Sequence, residues 1–241
     1  DAEGDLTITA TSDATINAEV AGFAVALSGG FVGVSGAGTG ASATNSITTK
    51  TQAYISDLTS ADDITVAGDV SIEASDTSDI DSTVGAASIA GSAGAVGVSV
   101  SIGISAATNE VDSDVNAYIK NAPLSAGSVS LSALSDETIT AQAAAASFSA
   151  AFGVVGVAVS GAGAGASNSI DFQTSAYVTG SQLEVAGDID VSSEGTSEIN
   201  ATVISESIAE AGGGGAFGVS LGASVATNRI GEDGAPAQVL A

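Results

Sequence analysis

Twenty-eight carboxylates, three cations (Lys50, Lys120 and Arg229) and a large set of hydroxyls and amides make up nearly all the polar chemistry of this chain. It has no histidine and no cysteine. A thiolate or imidazole nucleophile and a Cys/His zinc site are therefore closed to it. What is left for acid–base work is a pair of carboxylates facing each other across a cleft. The acids here are scattered over outward strand positions, and a single Arg near one end cannot stabilise an enolate. The expectation is a protein that is not an enzyme.

The carboxylates are better suited to a cation. Asp5 and Asp69 occupy one position in neighbouring repeats, as do Asp112 and Asp171, and oxygen-only ligands of this kind suit calcium. The loop acids Asp57, Asp62 and Asp63 form another candidate cluster. No stretch follows the EF-hand spacing or the glycine-rich nonapeptide of calcium-binding β-rolls. Calcium is the only cofactor these residues point to, and the fold requires none. A formal charge of −25 argues against nucleic acid as a partner, and against anionic lipid, because both need clustered Lys and Arg. Gly36, Gly38 and Gly40, and likewise Gly161, Gly163 and Gly165, imitate phosphate loops only in composition; they alternate within strands and no helix follows.

Behind these residues lies a repeat. Gly4, Gly68, Gly127 and Gly187 each open a unit, with spacings of 64, 59 and 60 residues. Twelve positions later stand Ile16, Ile80, Ile139 and Ile199. Forty-one positions after the glycine stand Asn45, Asn109, Asn168 and Asn228. Three units then carry a tyrosine, Tyr54, Tyr118 and Tyr177; in the fourth the motif degenerates to Ala237-Gln238-Val239, one residue out of phase. Because all length variation follows the tyrosine, a 51-residue block is gapless and one surface loop takes the insertions. The chain is a single array over 1–241, with repeats at about 4–67, 68–126, 127–186 and 187–241.

Within the block the apolar period is two. Leu6, Ile8 and Ala10 alternate with Asp5, Thr7 and Thr9, and Val96 to Ile104 alternate with Gly and Ser. Such alternation, rich in β-branched residues, specifies strand. The phase reverses between Val20 and Val25 and again near the Asn, which predicts bulges or corners and hence several short strands per coil. Glycine clusters at Gly29-Gly30, Gly91 to Gly94 and Gly212 to Gly215 predict a turn. The expected fold is all-β: an elongated β-solenoid of four stacked coils of about 60 residues, with antiparallel long-hairpin repeats as the alternative.

Charge placement favours stacking in register. At one position the four units read Asp13, Thr77, Asp136, Thr196; two residues on they read Thr15, Asp79, Thr138, Glu198. Stacked strands lie about 4.8 Å apart, where like charges cost roughly 1 kcal/mol even in water. Skipping a coil moves them to about a Debye length. The Asn series should then form an amide ladder at a corner. Tyr54, Tyr118 and Tyr177 should form an aromatic stripe, either packed or available to a glycan.

The recurring Gly-Val-x-Val-Ser, Ala-x-Asn-x-Ile/Val and Ala-Tyr-Ile motifs resemble repeats of giant bacterial surface proteins. In the second unit they are Gly97 to Ser101, Ala107 to Val111 and Ala117 to Ile119. The closest resemblance is to filamentous-haemagglutinin-like adhesins, including leukotoxin-like filamentous adhesins. That resemblance implies export to the cell surface, a β-solenoid shaft, and roles in attachment, biofilm or matrix. The expected function is thus a non-catalytic extracellular structural or adhesive segment of a bacterial stalk or filament. Its expected partner is itself, end to end or laterally, with host or matrix glycan as a further candidate and no direct membrane insertion. A calcium- or glycan-binding β-solenoid module is the alternative.

Overall fold

A computed structural model describes residues 2–58 and 64–231, together with the backbone of 238–240. Each repeat opens with two long strands running in opposite directions. The first strands are β1 (Leu6–Gly29), β4 (Val70–Ala93), β7 (Val129–Phe152) and β10 (Ile189–Gly212). The second are β2 (Val32–Ser56), β5 (Val96–Lys120), β8 (Val155–Thr179) and β11 (Gly215–Ile230). Three repeats add a short third strand: β3 (Ile64–Thr65), β6 (Leu124–Ala126) and β9 (Leu183–Val185). The last strand, β12, is Gln238–Leu240.

Every strand pairs with its equivalent in the next repeat, in parallel. One sheet has the order β1-β4-β7-β10, a second β2-β5-β8-β11, and the third β3-β6-β9. The chain is therefore a β-solenoid, and the hairpin alternative fails because β1 and β2 of one repeat do not share a ladder. The 51-residue block stacks without a slip in the first three repeats, and as far as Ile230 in the fourth: Ile16, Ile80, Ile139 and Ile199 form one column, and so do the four Asn. The length variation lies in the connections that carry the third strands, as the repeat spacing indicated. The fourth repeat differs in detail. Leu240, not Gln238, is the residue that pairs with Tyr177.

The expected corners are absent. β1 alternates between inward and outward side chains over its whole length, and β2 does the same. What reverses is the chemistry of the two faces. In the proximal half, next to the third sheet, Leu6, Ile8, Val70, Ile72, Val129 and Leu131 point inward and pack against Ile55, Ile119 and Leu124. A second inward cluster follows around Ile80, Ile139, Val111 and Ile170. In the distal half, next to the Gly turn, the inward residues shrink to Ala, Ser and Gly, while Phe23, Val25, Leu27, Val34, Ile102 and Ile104 are exposed.

Interior space explains the reversal. Three sheets enclose a prism at the proximal end, wide enough for Ile and Leu. Beyond it only two sheets remain, and they converge until backbone meets backbone. A Cβ placed on Gly103 would come within 2.6 Å of the Ala146 carbonyl oxygen, and one on Gly22 within 3.0 Å of the Gly40 carbonyl. Large side chains cannot enter such a gap, so unbroken alternation sends them outward. Serine hydroxyls fill what remains. Ser88 bonds Ser101 across the gap at 2.7 Å, and Ser99 bonds Ser149 at 2.7 Å.

Gly103→Ala should therefore destabilise the coil by about 1–3 kcal/mol in denaturant unfolding, the range for overpacking a close-packed interior. Gly85→Ala, whose new methyl would meet nothing within 4 Å, should leave the midpoint within about 0.5 kcal/mol of the parent.

Candidate functional site

The asparagine ladder runs through all four coils. Asn45 Nδ2 donates to Asn109 Oδ1, Asn109 Nδ2 to Asn168 Oδ1, and Asn168 Nδ2 to Asn228 Oδ1, each at 2.8 Å. These side chains point inward from the middle of β2, β5 and β8 and from near the end of β11, at the boundary between the Ile-filled and the Ala/Ser-filled interior. They mark a mid-strand position and not a corner. A buried amide with a partner above and below is satisfied only while register holds, so a one-residue slip would orphan every rung.

The tyrosines form a second column on the outer face. Tyr54 stacks on Tyr118 at a ring-centroid distance of 4.8 Å, and Tyr118 on Tyr177 at 5.1 Å, with planes within 3° of parallel. Strand spacing imposes this face-to-face geometry. The stripe packs against itself, while the ring of Tyr54 remains open to solvent at one end. Burial in the stack, with its two tyrosine neighbours, raises the pKa of the Tyr118 hydroxyl.

A third column marks the end of each second strand. Asp57 and Asn121 adopt positive φ of 56° and 47°, and Gly180 of 60°. Asn121 Nδ2 donates to Asp57 Oδ1 at 2.9 Å. That hydrogen bond holds the Asp57 carboxyl below the usual carboxylate range. Asp, Asn and Gly are the residues that enter the left-handed region most readily, so the chain turns here readily in each of the first three coils. The three residues stand at the same distance after Tyr54, Tyr118 and Tyr177, so their shared position was legible in the sequence; the positive φ was not. Of the proposed Asp57, Asp62 and Asp63 cluster, Asp62 and Asp63 lie outside the described residues.

The sequence-expected acidic pairs are placed as follows. Asp112 and Asp171 are register neighbours on the outer face of β5 and β8. Asp5 and Asp69 precede β1 and β4, and Asp5 Oδ1 accepts the Asp69 backbone N–H at 2.9 Å, so that carboxylate already has a donor. The antiphase columns stack as expected: Asp13, Thr77, Asp136 and Thr196 are successive neighbours, and Thr196 Oγ1 donates to Asp136 Oδ1 at 2.9 Å. Among the described residues no group of three or more acids could hold a metal ion.

Two carboxylates lie where sequence reasoning did not place them, inside the coil. Asp76 and Glu137 are fully buried, on neighbouring strands and two residues apart in register. Asp76 Oδ2 accepts hydrogen bonds from Ser113 Oγ at 2.7 Å and from Thr49 Oγ1. Glu137 has no such partner on either oxygen among the described residues. The neighbouring hydroxyls are committed elsewhere, Ser113 to Asp76 and Ser135 to Thr174. Burial pushes the Glu137 carboxyl up to about 7; the nearby Ser113 and Ser135 hydroxyls pull the other way, and the Asp76 and Asp136 carboxylates add to the rise. The signal for this pocket was an inward parity shared by Asp76, Glu137 and Ile80.

No family model, curated protein or solved structure matches the chain.

Two outcomes follow from this geometry. Asn109→Ala removes two rungs and orphans groups on Asn45 and Asn168. It should cost about 2–4 kcal/mol in denaturant unfolding, and Asn228→Ala, which removes one, about half as much. Glu137 has an ordinary value of 4.5. Between that value and about 7 the folded state keeps a proton that the unfolded chain has lost, so its contribution to stability falls as pH rises and levels off above. Glu137→Gln should remove a loss of about 2–3 kcal/mol. Melting curves of both proteins at pH 5 and pH 8 measure the difference, which should grow with pH in favour of the variant.

Proposed function

We propose that this chain is a non-catalytic structural element, a section of a β-solenoid shaft whose coils continue by edge pairing beyond the four seen here. The observation that carries the reading is the polarity of the asparagine ladder. Every rung donates in one direction, from Asn45 toward Asn228. The first coil therefore presents an amide oxygen and the last an amide N–H, and a following coil in the same register would complete the next rung. The strand edges match this: β1 and β2 border one end of the stack, β10 and β11 the other. The side chains of β11 are exposed along its whole length. A repeat array needs a cap or a further coil over such an end.

The remaining features support a setting rather than a chemistry. A charge of −25 favours surroundings rich in cations or salt, where self-repulsion is screened. An extracellular, cell-surface position, in which a shaft holds something away from the cell and contributes to attachment, is the reading that joins composition to architecture. The outward Asp112 and Asp171 pair gives calcium one place to relieve repulsion between coils.

A tandem fusion tests the shaft directly. Two copies joined through a duplicate of the 178–186 connection should fold as one continuous array. Its melting should be single and cooperative, above that of one copy, and small-angle scattering should show the stack lengthened by about 19 Å, four strand spacings. Two independently melting units, with a scattering profile of linked separate bodies, would overturn the proposal.

A further inference from the structure

The distal half of the slab carries an arrangement that the shaft does not use. Residues 20–44, 84–109 and 143–168 contain no charged side chain; in the fourth repeat, Glu206 and Glu210 are the only two between 203 and 228. Both of these glutamates belong to β10, on the first sheet. The outer face of the second sheet is therefore free of charge over its distal half in all four coils. It exposes Val32, Val34, Ile102, Ile104, Phe217 and Leu221 to solvent.

This face is corrugated. Along one outward column the residues read Gly38, Ile102, Gly161, Leu221, and along the next Gly40, Ile104, Gly163, Ala223. In these two columns coil 2 raises Ile102 and Ile104 and coil 4 raises Leu221, while coils 1 and 3 leave glycine troughs; the neighbouring columns, such as Val34, Val98, Val157 and Phe217, are apolar without the alternation. A two-fold axis parallel to the strands, passing between coils 2 and 3, would reverse the coil order and leave position along the strand unchanged. It would set Ile102 into the trough at Gly161 and Leu221 into the trough at Gly38, in both directions at once. Self-complementarity of this kind is what an isologous interface requires.

We propose that this face is the interface of a homodimer, in which two copies interdigitate ridge into trough in the manner of a steric zipper. About ten residues of each of four strands give a face of roughly 33 by 19 Å, or about 600 Å² per copy. That is at the upper end of the largest apolar patches on monomers, and two such faces bury about the 1,200 Å² at which stable interfaces begin. Charge selects the occupant as well. With nearly all of its carboxylates in the proximal half, a copy meets the least repulsion from another through the distal half, where only the second sheet is free of charge in all four coils. The same axis brings the acid-bearing halves alongside each other, including Asp112 opposite Asp171, so association should strengthen with salt. A lipid surface is the weaker occupant, because the open edges of β2 and β11 would leave backbone groups without partners in hydrocarbon.

The test is sedimentation equilibrium of the intact chain at 0.1 and 0.5 M salt, with three variants. The parent should dimerise, at least tenfold more tightly at the higher salt. Ile102→Lys should weaken dimerisation at least a hundredfold, and Gly161→Val, which fills a trough without adding charge, at least tenfold. Leu27→Lys, on the outer face of the first sheet, should leave it unchanged. Circular dichroism melting should show all three variants folded, and the tandem-fusion result is independent of this face. A monomeric parent at 0.1 mM in 0.5 M salt would overturn the proposal. So would a dimer indifferent to Ile102→Lys, a dimer that weakens with salt, or a monomer that floats with neutral phosphatidylcholine vesicles.

Discussion

Parallel backbone pairing between equivalent strands of successive coils is the interaction on which every other feature depends. Each long strand except the 16-residue β11 contributes about 24 residues to a ladder with its counterpart one coil away. A slip by one residue would turn every inward side chain outward. Once register is set, each position in the repeat becomes a column with a rise of about 4.8 Å, and the properties of the protein are properties of columns. Groups that gain from repetition at that distance are repeated: amides hydrogen-bond, tyrosine rings stack, and isoleucines fill. Carboxylates, which lose by it, are staggered in the column of Asp13, Thr77, Asp136 and Thr196, whereas Asp112 and Asp171 are direct neighbours.

Thickness is the second organising variable. The third sheet holds the proximal end open, so that end has a conventional aliphatic core. Where only two sheets face each other they close to backbone contact, and nearly every inward residue is glycine, alanine or serine, with Thr39 set against Gly22. The distal half thus reverses the usual distribution, with hydroxyls inside and aliphatics outside. Inward serines such as Ser99 and Ser149 keep their hydrogen bonds because they meet across the gap. The cost of the arrangement is apolar area left in water, and that cost is recovered only when something covers it.

The buried acids fit the same logic from the other side. Asp76 is tolerated because Thr49 and Ser113 reach it from the facing sheet. Glu137, one coil further, meets hydroxyls that are already engaged, and its carboxyl is held toward the neutral form. A repeat with Ser at the equivalent position, as at Ser78 and Ser197, has no such penalty. Within an otherwise regular array this column carries a buried carboxyl that interacts with Ser113 and Asp76 of the neighbouring coil.

Much of this architecture was legible in the residues themselves. Gapless spacing from Gly4 to Asn45, and the same interval in three further units, determined the stacking order, the asparagine and tyrosine columns and the place of the insertions, because only equivalent residues in register produce such constancy. Period-two patterning determined strand. The sequence did not reveal that the strands are long and unbroken. A reversal of hydrophobic phase between Val20 and Val25 has the same appearance whether the backbone bulges or the interior narrows, and alternation alone cannot separate the two. Tertiary structure decided it, since the width of the gap depends on where the third sheet ends and how closely two distant strands approach. The same dependence placed Asp76 and Glu137 among facing hydroxyls and Ile102 and Ile104 in solvent, because inside and outside belong to the assembled coil and not to any stretch of chain.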